Sequence, residues 1–325
     1  MIEAGAVKSP PLAVSVIVPT FNRRDMIGRT LASILSQTLP PAEIIVIDDG
    51  STDDVLGAIA GFPVHYHRIA NSGPNVARAV GLALVRSPWT AFCDDDDEWT
   101  PNYLESWASL LAAGGVYGFG NFRSIVGERR TDKDKFSEAP PGYFSAPERP
   151  FYPKILRFNA IWPSCVIART DFLSSIGGFD KRLPRAATED LEFSLRCNQS
   201  VAPVIQYQPL AWIRRHGGNL SGDKMRVCLW DVEALIWARD HHTIAPQYAD
   251  IFAAEIIRRR RLALEIAFTL GDTRSVRALA SLLGNEVISP KLLVKTLLCQ
   301  SRLVPGSALR ALFGSKTQRV VSLGG

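Results

Sequence analysis

The chain has 325 residues, 46% of them hydrophobic, and a formal net charge of +5. That is enough for a sizeable core, as one large domain or a domain with an extension, and it excludes collagen-like and disordered classes. No apolar run reaches the roughly 18 residues a membrane-crossing helix needs, and residues 1–5 lack the basic-then-apolar start of a signal peptide, so cytoplasmic residence is the expectation.

Residues 1–12 read as a loose leader ending at Pro10 and Pro11. The β-branched run over 12–18 predicts a strand buried on both faces, and the segment from Pro19 to Arg24 opens a loop. Within 25–37, Ile27, Leu31, Ile34 and Leu35 recur at helical spacing until Pro40 and Pro41. A second buried strand is expected over 43–47, stopped by Asp48-Asp49-Gly50-Ser51-Thr52-Asp53. A short helix, a strand near 64–68 and a helix over 75–85 follow. Residues 90–93 then form a short strand that delivers Asp94-Asp95-Asp96-Asp97-Glu98-Trp99.

Strands alternating with helices at this spacing argue for a mostly parallel sheet with helices on both faces. Ligands of such sheets sit beyond the carboxyl ends of the strands, where both acidic loops, 48–53 and 94–98, fall. Four consecutive carboxylates repel one another unless a hard divalent cation shares their charge. Mg²⁺ and Mn²⁺ favour such oxygens and keep phosphate or water as further ligands. A solvated acidic loop is the plainer alternative for this run.

Residues 123–150 change character, with Glu128 to Lys135 charged and prolines at 140, 141, 147 and 150; this predicts a mobile lid or surface loop. A strand is expected over 162–168 and a glycine turn over 176–180. Thr188 is placed to cap a helix that begins with Glu189 and Asp190 and runs on over 191–198. After about residue 222 the pattern is helical, including 291–298 and 307–313. Arg258 to Arg261 form a run that is either solvated or turned to an anionic bilayer.

The five cysteines form no CxxC pair and no zinc spacing, and read as small buried hydrophobes. The positive charge suits an anionic substrate or a membrane face. No nucleic-acid partner is expected, because no binding motif accompanies it. Trp99, Trp162 and Trp212 are candidates either for stacking on sugar or base, or for core and rim positions.

In order, Val14 to Arg23, Ser33 to Thr38, Ile45 to Asp53, Asn71 to Gly81, Asp94 to Trp99, Gly177 to Asp180, Thr188-Glu189-Asp190 and Arg215-His216 resemble the motifs of glycosyltransferase family 2. These are inverting nucleotide-sugar transferases of the GT-A fold. The resemblance spans roughly residues 12–220 and implies an α/β fold: a Rossmann-like mixed sheet flanked by helices, with a C-terminal helical extension. The domain expectation is catalytic residues 1–222, with a nucleotide-sugar half over 12–122, the insertion over 123–150 and an acceptor half over 151–222. A mostly helical region follows over 223–325.

Carried across residue by residue, the resemblance places Pro19, Thr20, Phe21, Asp48 and Asp49 at the nucleoside and Arg78 at the pyrophosphate. Asp94 falls on the ribose side, with Asp95 a one-residue alternative in register. Asp96, with Asp94 and His216, would hold Mg²⁺ or Mn²⁺. Asp190 would be the catalytic base and Glu189 would orient hydroxyls. The donor implied is a UDP-, dTDP- or GDP-sugar, and the acceptor a glycan, lipid-linked or small natural-product hydroxyl, with peripheral association at the inner face of a membrane. Other enzymes of the same fold, transferring nucleotides or hydrolysing the donor, and a non-catalytic scaffold are the alternatives. The scaffold predicts loss of Asp49, Asp96 and Asp190, all of which are present.

Overall fold

The structure, a computed structural model, describes residues 12–112, 114–145, 150–217 and 222–283. The chain forms two compact units. One runs to Arg185 and resumes over Glu189–Gly217; the other takes Ala186–Thr188 and the residues after 217.

In the first unit, β1 (Val14–Thr20) is buried along its whole length. It pairs in parallel with β2 (Glu43–Asp48) on one side and β4 (Trp89–Phe92) on the other, and β3 (His65–Arg68) extends the parallel set beyond β2. The connections are α1 (Ile27–Leu35), α2 (Val55–Ile59) and α3 (Pro74–Leu84). Val16, Ile17 and Val18 are fully buried, and each such side chain contributes roughly 1.5–3 kcal/mol. Gly81 lets α3 lie close on β1: a Cβ there would come within 2.5 Å of Ile17 Cγ2. Gly50 ends β2 with φ +79°, and a Cβ would meet the Asn71 amide nitrogen at 2.8 Å.

Past β4 the pairing changes direction. β8 (Val166–Arg169) is antiparallel to β4, β6 (Tyr117–Val126) antiparallel to β8, and β9 (Val204–Arg215) parallel to β6. The two-residue β5 (Glu98–Trp99) closes the order β3-β2-β1-β4-β8-β6-β9-β5. The mixed sheet is therefore parallel in its first four strands and mostly antiparallel beyond them. The packing helices are α4 (Tyr103–Leu111), α5 (Tyr152–Arg157), α6 (Thr170–Ser175) and α7 (Glu189–Cys197).

Two expectations need correction here. The charged stretch is not a loop in its first half: β6 runs to Val126, turns at Gly127 (φ +62°) and returns as β7 (Arg129–Asp134). Among the described residues β7 pairs only with β6, and exposed charges are tolerated on such an edge because they discourage further pairing. The strand expected from residue 162 opens instead as a 3₁₀ turn, Pro163–Cys165, and begins at Val166.

The second unit contains α8 (Lys224–His241), α9 (Ala249–Leu270) and α10 (Thr273–Leu283). Its helices close around Cys228, Leu264, Phe268, Val276 and Leu279. Gly271, left-handed at φ 70°, ends α9. The arginine run does lie in α9, but not as one solvated or bilayer-facing strip, because Arg259 is buried and ion-paired to Glu255 and Asp231. Cys93, Cys165, Cys197 and Cys228 are buried free thiols, as expected. The leader through residue 11, Pro147, Cys299 and the helices expected over 291–298 and 307–313 lie outside the described residues.

Candidate active site

The parallel strands end together, and their carboxyl ends carry the acids. Asp48 and Asp49 follow β2 side by side, yet their surroundings differ. Asp48 is buried, and its carboxylate accepts from the Ser51 amide (2.8 Å), the Tyr66 hydroxyl (2.6 Å) and the Arg68 guanidinium (3.2 Å). Burial works against its charge, but the Ser51, Tyr66 and Arg68 partners outweigh burial and hold the carboxyl below its ordinary value. Asp49 accepts from the Ser72 and Gly73 amides at 2.7 and 2.8 Å, one on each oxygen, which fixes the turn into α3. Each of its oxygens keeps a second acceptor direction. Pro19 and Thr20 are buried at the end of β1, and Phe21 beyond them is 43% exposed.

The acidic run sorts its four aspartates by environment. Asp94 donates its amide to Ser164 Oγ at 3.0 Å, and its carboxylate receives Arg78 Nη2 at 2.5 Å. The Asp95 side chain is buried beside Thr20. Burial first, and then the charge of Asp96, push its carboxyl up to about 8, while the Thr20 hydroxyl pulls the other way. Asp96 Oδ2 lies 2.8 Å from His216 Nε2. Its carboxyl is raised by burial and by Asp94, against the opposing pull of His216. Asp97 is 1% exposed and internal: its two oxygens accept from Ser164 Oγ (2.5 Å) and the Arg214 amide (3.0 Å). Asp94 and Asp96 thus keep the more open side chains, 24% and 12% exposed.

Arg78 joins distant parts of the sequence. It lies in α3, 3% exposed, and donates to Asp94 and, at 3.1 Å, to Glu189 Oε1 of α7. Its guanidinium carbon also lies 5.1 Å from the Phe179 ring centroid. Burial opposes its charge, and Asp94 and Glu189 outweigh that, so it stays protonated. The side chain expected at the pyrophosphate is therefore held between the two acidic motifs. Asp190, next to Glu189, is half-buried in the first turn of α7.

Of the tryptophans, Trp99 is a core residue, not a stacking platform: it lies on Tyr103 with ring centroids 4.1 Å apart and donates Nε1–H to the Ser164 carbonyl at 2.8 Å. Trp162 and Trp212 are half-buried under the guanidinium groups of Arg215 and Arg130, at 4.8 and 4.7 Å. Sequence reasoning missed Ser164, which ties Asp94 to Asp97 from 67 residues away. A lone serine in Trp162-Pro163-Ser164-Cys165 gives no signal of that task.

Among the described residues no group of three or more His, Cys, Asp or Glu side chains is arranged to hold a metal ion, the expected set of Asp94, Asp96 and His216 included.

Residues 15–170 match the family model for glycosyl transferase family 2. TuaG of Bacillus subtilis (strain 168), named as a glycosyltransferase of teichuronic acid biosynthesis, is 35% identical over 134 residues, 39% of this chain and 53% of its own. The GalNAc(5)-diNAcBac-PP-undecaprenol beta-1,3-glucosyltransferase of Campylobacter jejuni is 34% identical over 115 residues, 33% of this chain and 37% of its own. The matches thus span about half of the first relative's length and less of the second's. Among solved structures, S. aureus TarS 1-349 in complex with UDP-GlcNAc superposes with a TM-score of 0.61 at 19% identity, covering 94% of this chain and 92% of that one. The span that carries most of the ordered motifs, residues 15–170, thus matches glycosyl transferase family 2, and the chain has a Rossmann-like mixed-sheet fold followed by helices.

Proposed function

We propose that the chain is a metal-dependent inverting glycosyltransferase. It would move a sugar from a nucleotide-diphospho-sugar, UDP-linked in the first instance, to a hydroxyl of a glycan, lipid-linked or natural-product acceptor. The observation that carries the proposal is the Arg78 bridge, which brings the Asp94 carboxylate and Glu189, 95 residues later in the chain, onto one buried guanidinium. A base at Asp190 and a diphosphate site at Asp94 and Asp96 need that proximity.

The chemistry of two of these side chains would suit Mg²⁺ or Mn²⁺. Asp94 and Asp96 offer hard, partly exposed carboxylate oxygens with His216 beside Asp96, and donor phosphates would fill the remaining positions. When bound, the ion would stabilise negative charge on the departing diphosphate. The chain's own residues have separate tasks. Phe21 offers an exposed ring to the nucleobase, while Asp49 accepts from it and Thr20 lines that side. Arg78 holds the Asp94 and Glu189 side chains in place by hydrogen bonds. Glu189 orients the acceptor or sugar hydroxyls, and Asp190 takes the proton from the acceptor hydroxyl as its oxygen attacks the anomeric carbon. One in-line displacement inverts that centre.

The UDP-GlcNAc bound by TarS supports a UDP-linked donor. The names of the two bacterial relatives support a glycan or lipid-linked acceptor. A lipid-linked acceptor would bring the chain to a membrane surface at the cytoplasmic side, and no described helix is long and apolar enough to cross one. The test is calorimetric titration with UDP, GDP, dTDP and CDP, each with Mn²⁺ and with EDTA. One nucleotide should bind with Mn²⁺ and weaken with EDTA. Failure of all four, followed by failure of UDP-sugars, would overturn the proposal.

A further inference from the structure

The acidic run is held on two sides, and the two sets of contacts differ in kind. On the open side Arg78 meets the Asp94 carboxylate and His216 meets that of Asp96. A bound diphosphate would compete for Arg78, and a bound cation for the carboxylates, so these contacts exchange when the site fills. On the buried side the contacts are internal. The Asp94 amide donates to Ser164 Oγ at 3.0 Å, and the Ser164 hydroxyl donates onward to Asp97 Oδ2 at 2.5 Å. Asp97 Oδ1 accepts from the Arg214 amide at 3.0 Å. The Asp97 carbonyl accepts from Thr30 Oγ1 of α1 at 2.8 Å, and its amide closes a turn on the Asp94 carbonyl at 3.1 Å.

Ser164 is fully buried and Asp97 is 1% exposed. Ser164 is fixed in its turn: it lies in the 3₁₀ turn Pro163–Cys165, and its carbonyl accepts from Trp99 Nε1 at 2.8 Å. The bonds therefore tie the loop after β4 to the turn before β8 and to the end of β9, two residues short of His216. They also turn Asp97 inward while Asp94 and Asp96 stay open, at 24% and 12% side-chain exposure. A buried carboxylate is a costly way to fill space, and this one uses both oxygens to fix other segments. A loop that presents charged groups to a ligand must keep its backbone while its open-side partners change, since a shift of about 1 Å is enough to spoil such a site. We propose that Ser164 and Asp97 are positioning residues of the donor site: they hold the loop bearing Asp94 and Asp96 in register with the strand end bearing His216. This rests on the diphosphate site at Asp94 and Asp96 in the proposed function.

The test compares the full chain with variants that change single polar groups. Ser164→Ala removes the central hydroxyl. Asp97→Asn keeps the shape, but an amide in either orientation leaves the Ser164 hydroxyl or the Arg214 amide without its acceptor. Tyr103→Phe is the control, because the Tyr103 hydroxyl lies 3.4 Å from the Ser164 carbonyl; the variant loses a buried hydroxyl from the same neighbourhood and leaves the bonds from Asp94 through Ser164 to Asp97 intact. Hydrogen exchange followed by mass spectrometry should show peptides covering 94–97 exchanging several-fold faster in Ser164→Ala and Asp97→Asn, and unchanged in Tyr103→Phe. In calorimetry with Mn²⁺, affinity for the nucleotide that the wild type binds, UDP in the first instance, should fall about tenfold in the first two variants and stay within about twofold in the control. If Ser164→Ala does not fold, the isosteric Asp97→Asn decides. Unchanged exchange over 94–97 overturns the proposal, and so does faster exchange with unchanged affinity, or an equal loss of affinity in Tyr103→Phe. A wild type that binds none of UDP, GDP, dTDP and CDP counts against the proposed function instead, and the exchange data then support or overturn the network by themselves.

Discussion

Asp48 and Asp49 are neighbours of the same type, and the structure separates their tasks by what each carboxylate touches. The Asp48 carboxylate accepts from three protein donors, so its ionisation bears on stability. Its folded carboxyl is held below the ordinary value of 3.8, so the stabilisation is fully present above that value and is lost as pH falls through the lowered one. Tyr66→Phe removes one donor from this buried carboxylate and should cost about 1–2 kcal/mol at pH 7. That deficit against the wild type should shrink in unfolding measured at pH 3, and a deficit independent of pH would remove Asp48 as its source. The acids that the proposed function gives a chemical role call for a different readout. Asp190→Asn should lower kcat by at least about a hundredfold with nucleotide affinity retained, because only the proton acceptor is lost. Asp96→Asn should instead abolish the gain in nucleotide affinity that Mn²⁺ gives in calorimetry, and an undiminished gain would take Asp96 out of the metal site.

Among the elements, the contact of α3 with β1 can be tested at a single atom. Gly81→Ala places a methyl 2.5 Å from Ile17 Cγ2, and overpacking of that kind costs roughly 1–3 kcal/mol. Better helix propensity returns about 1 kcal/mol at most, so a net loss in chemical denaturation is expected. Since α3 also carries Arg78, nucleotide affinity should fall with it; a stable variant would mean that the helix can ride outward. This first half of the sheet was legible in the sequence because its signals are local. The buried β-branched runs of β1 and β2, the apolar spacing of α1 and the acids at strand ends need no distant partner to be recognised. β6 and β9 were not legible. β6 holds Gly118 and Gly120 where Trp107 needs room, and β9 carries Pro209 and several polar residues, with the register between them shifting around Asn121. Their strand character comes from pairing over some 86 residues of separation, which no local pattern records. β7 reads as a loop for a related reason: an edge strand can be charged throughout. At the site, the motif residues were legible, while the Arg78 bridge and the Ser164 relay depend on contacts across 111 and 67 residues.

Taken over the whole molecule, a net charge of +5 invites the picture of a basic surface, but several of its arginines are internal. Arg78 is held by Asp94 and Glu189, Arg214 by Glu98, and Arg259 by Glu255 and Asp231, and all three are less than 9% exposed. The run over 258–261 therefore divides by position along the α9 surface. Arg259→Leu would take the buried cation from Asp231 and leave Glu255 only Arg258, and breaking a buried pair from one side costs about 3–5 kcal/mol. Arg260→Gln, next to it in sequence, should stay within about 0.5 kcal/mol of the wild type. With two compact units a single unfolding free energy is not defined for the chain, so the comparison belongs to the urea midpoint followed by far-UV circular dichroism. Replacing Glu255 by Leu as well should recover part of the midpoint, because one of the two buried carboxylates that lost Arg259 is then gone. Equal losses at Arg259 and Arg260 would mean that the run acts as a uniform surface and that the ion pairs of Arg259 add nothing of their own.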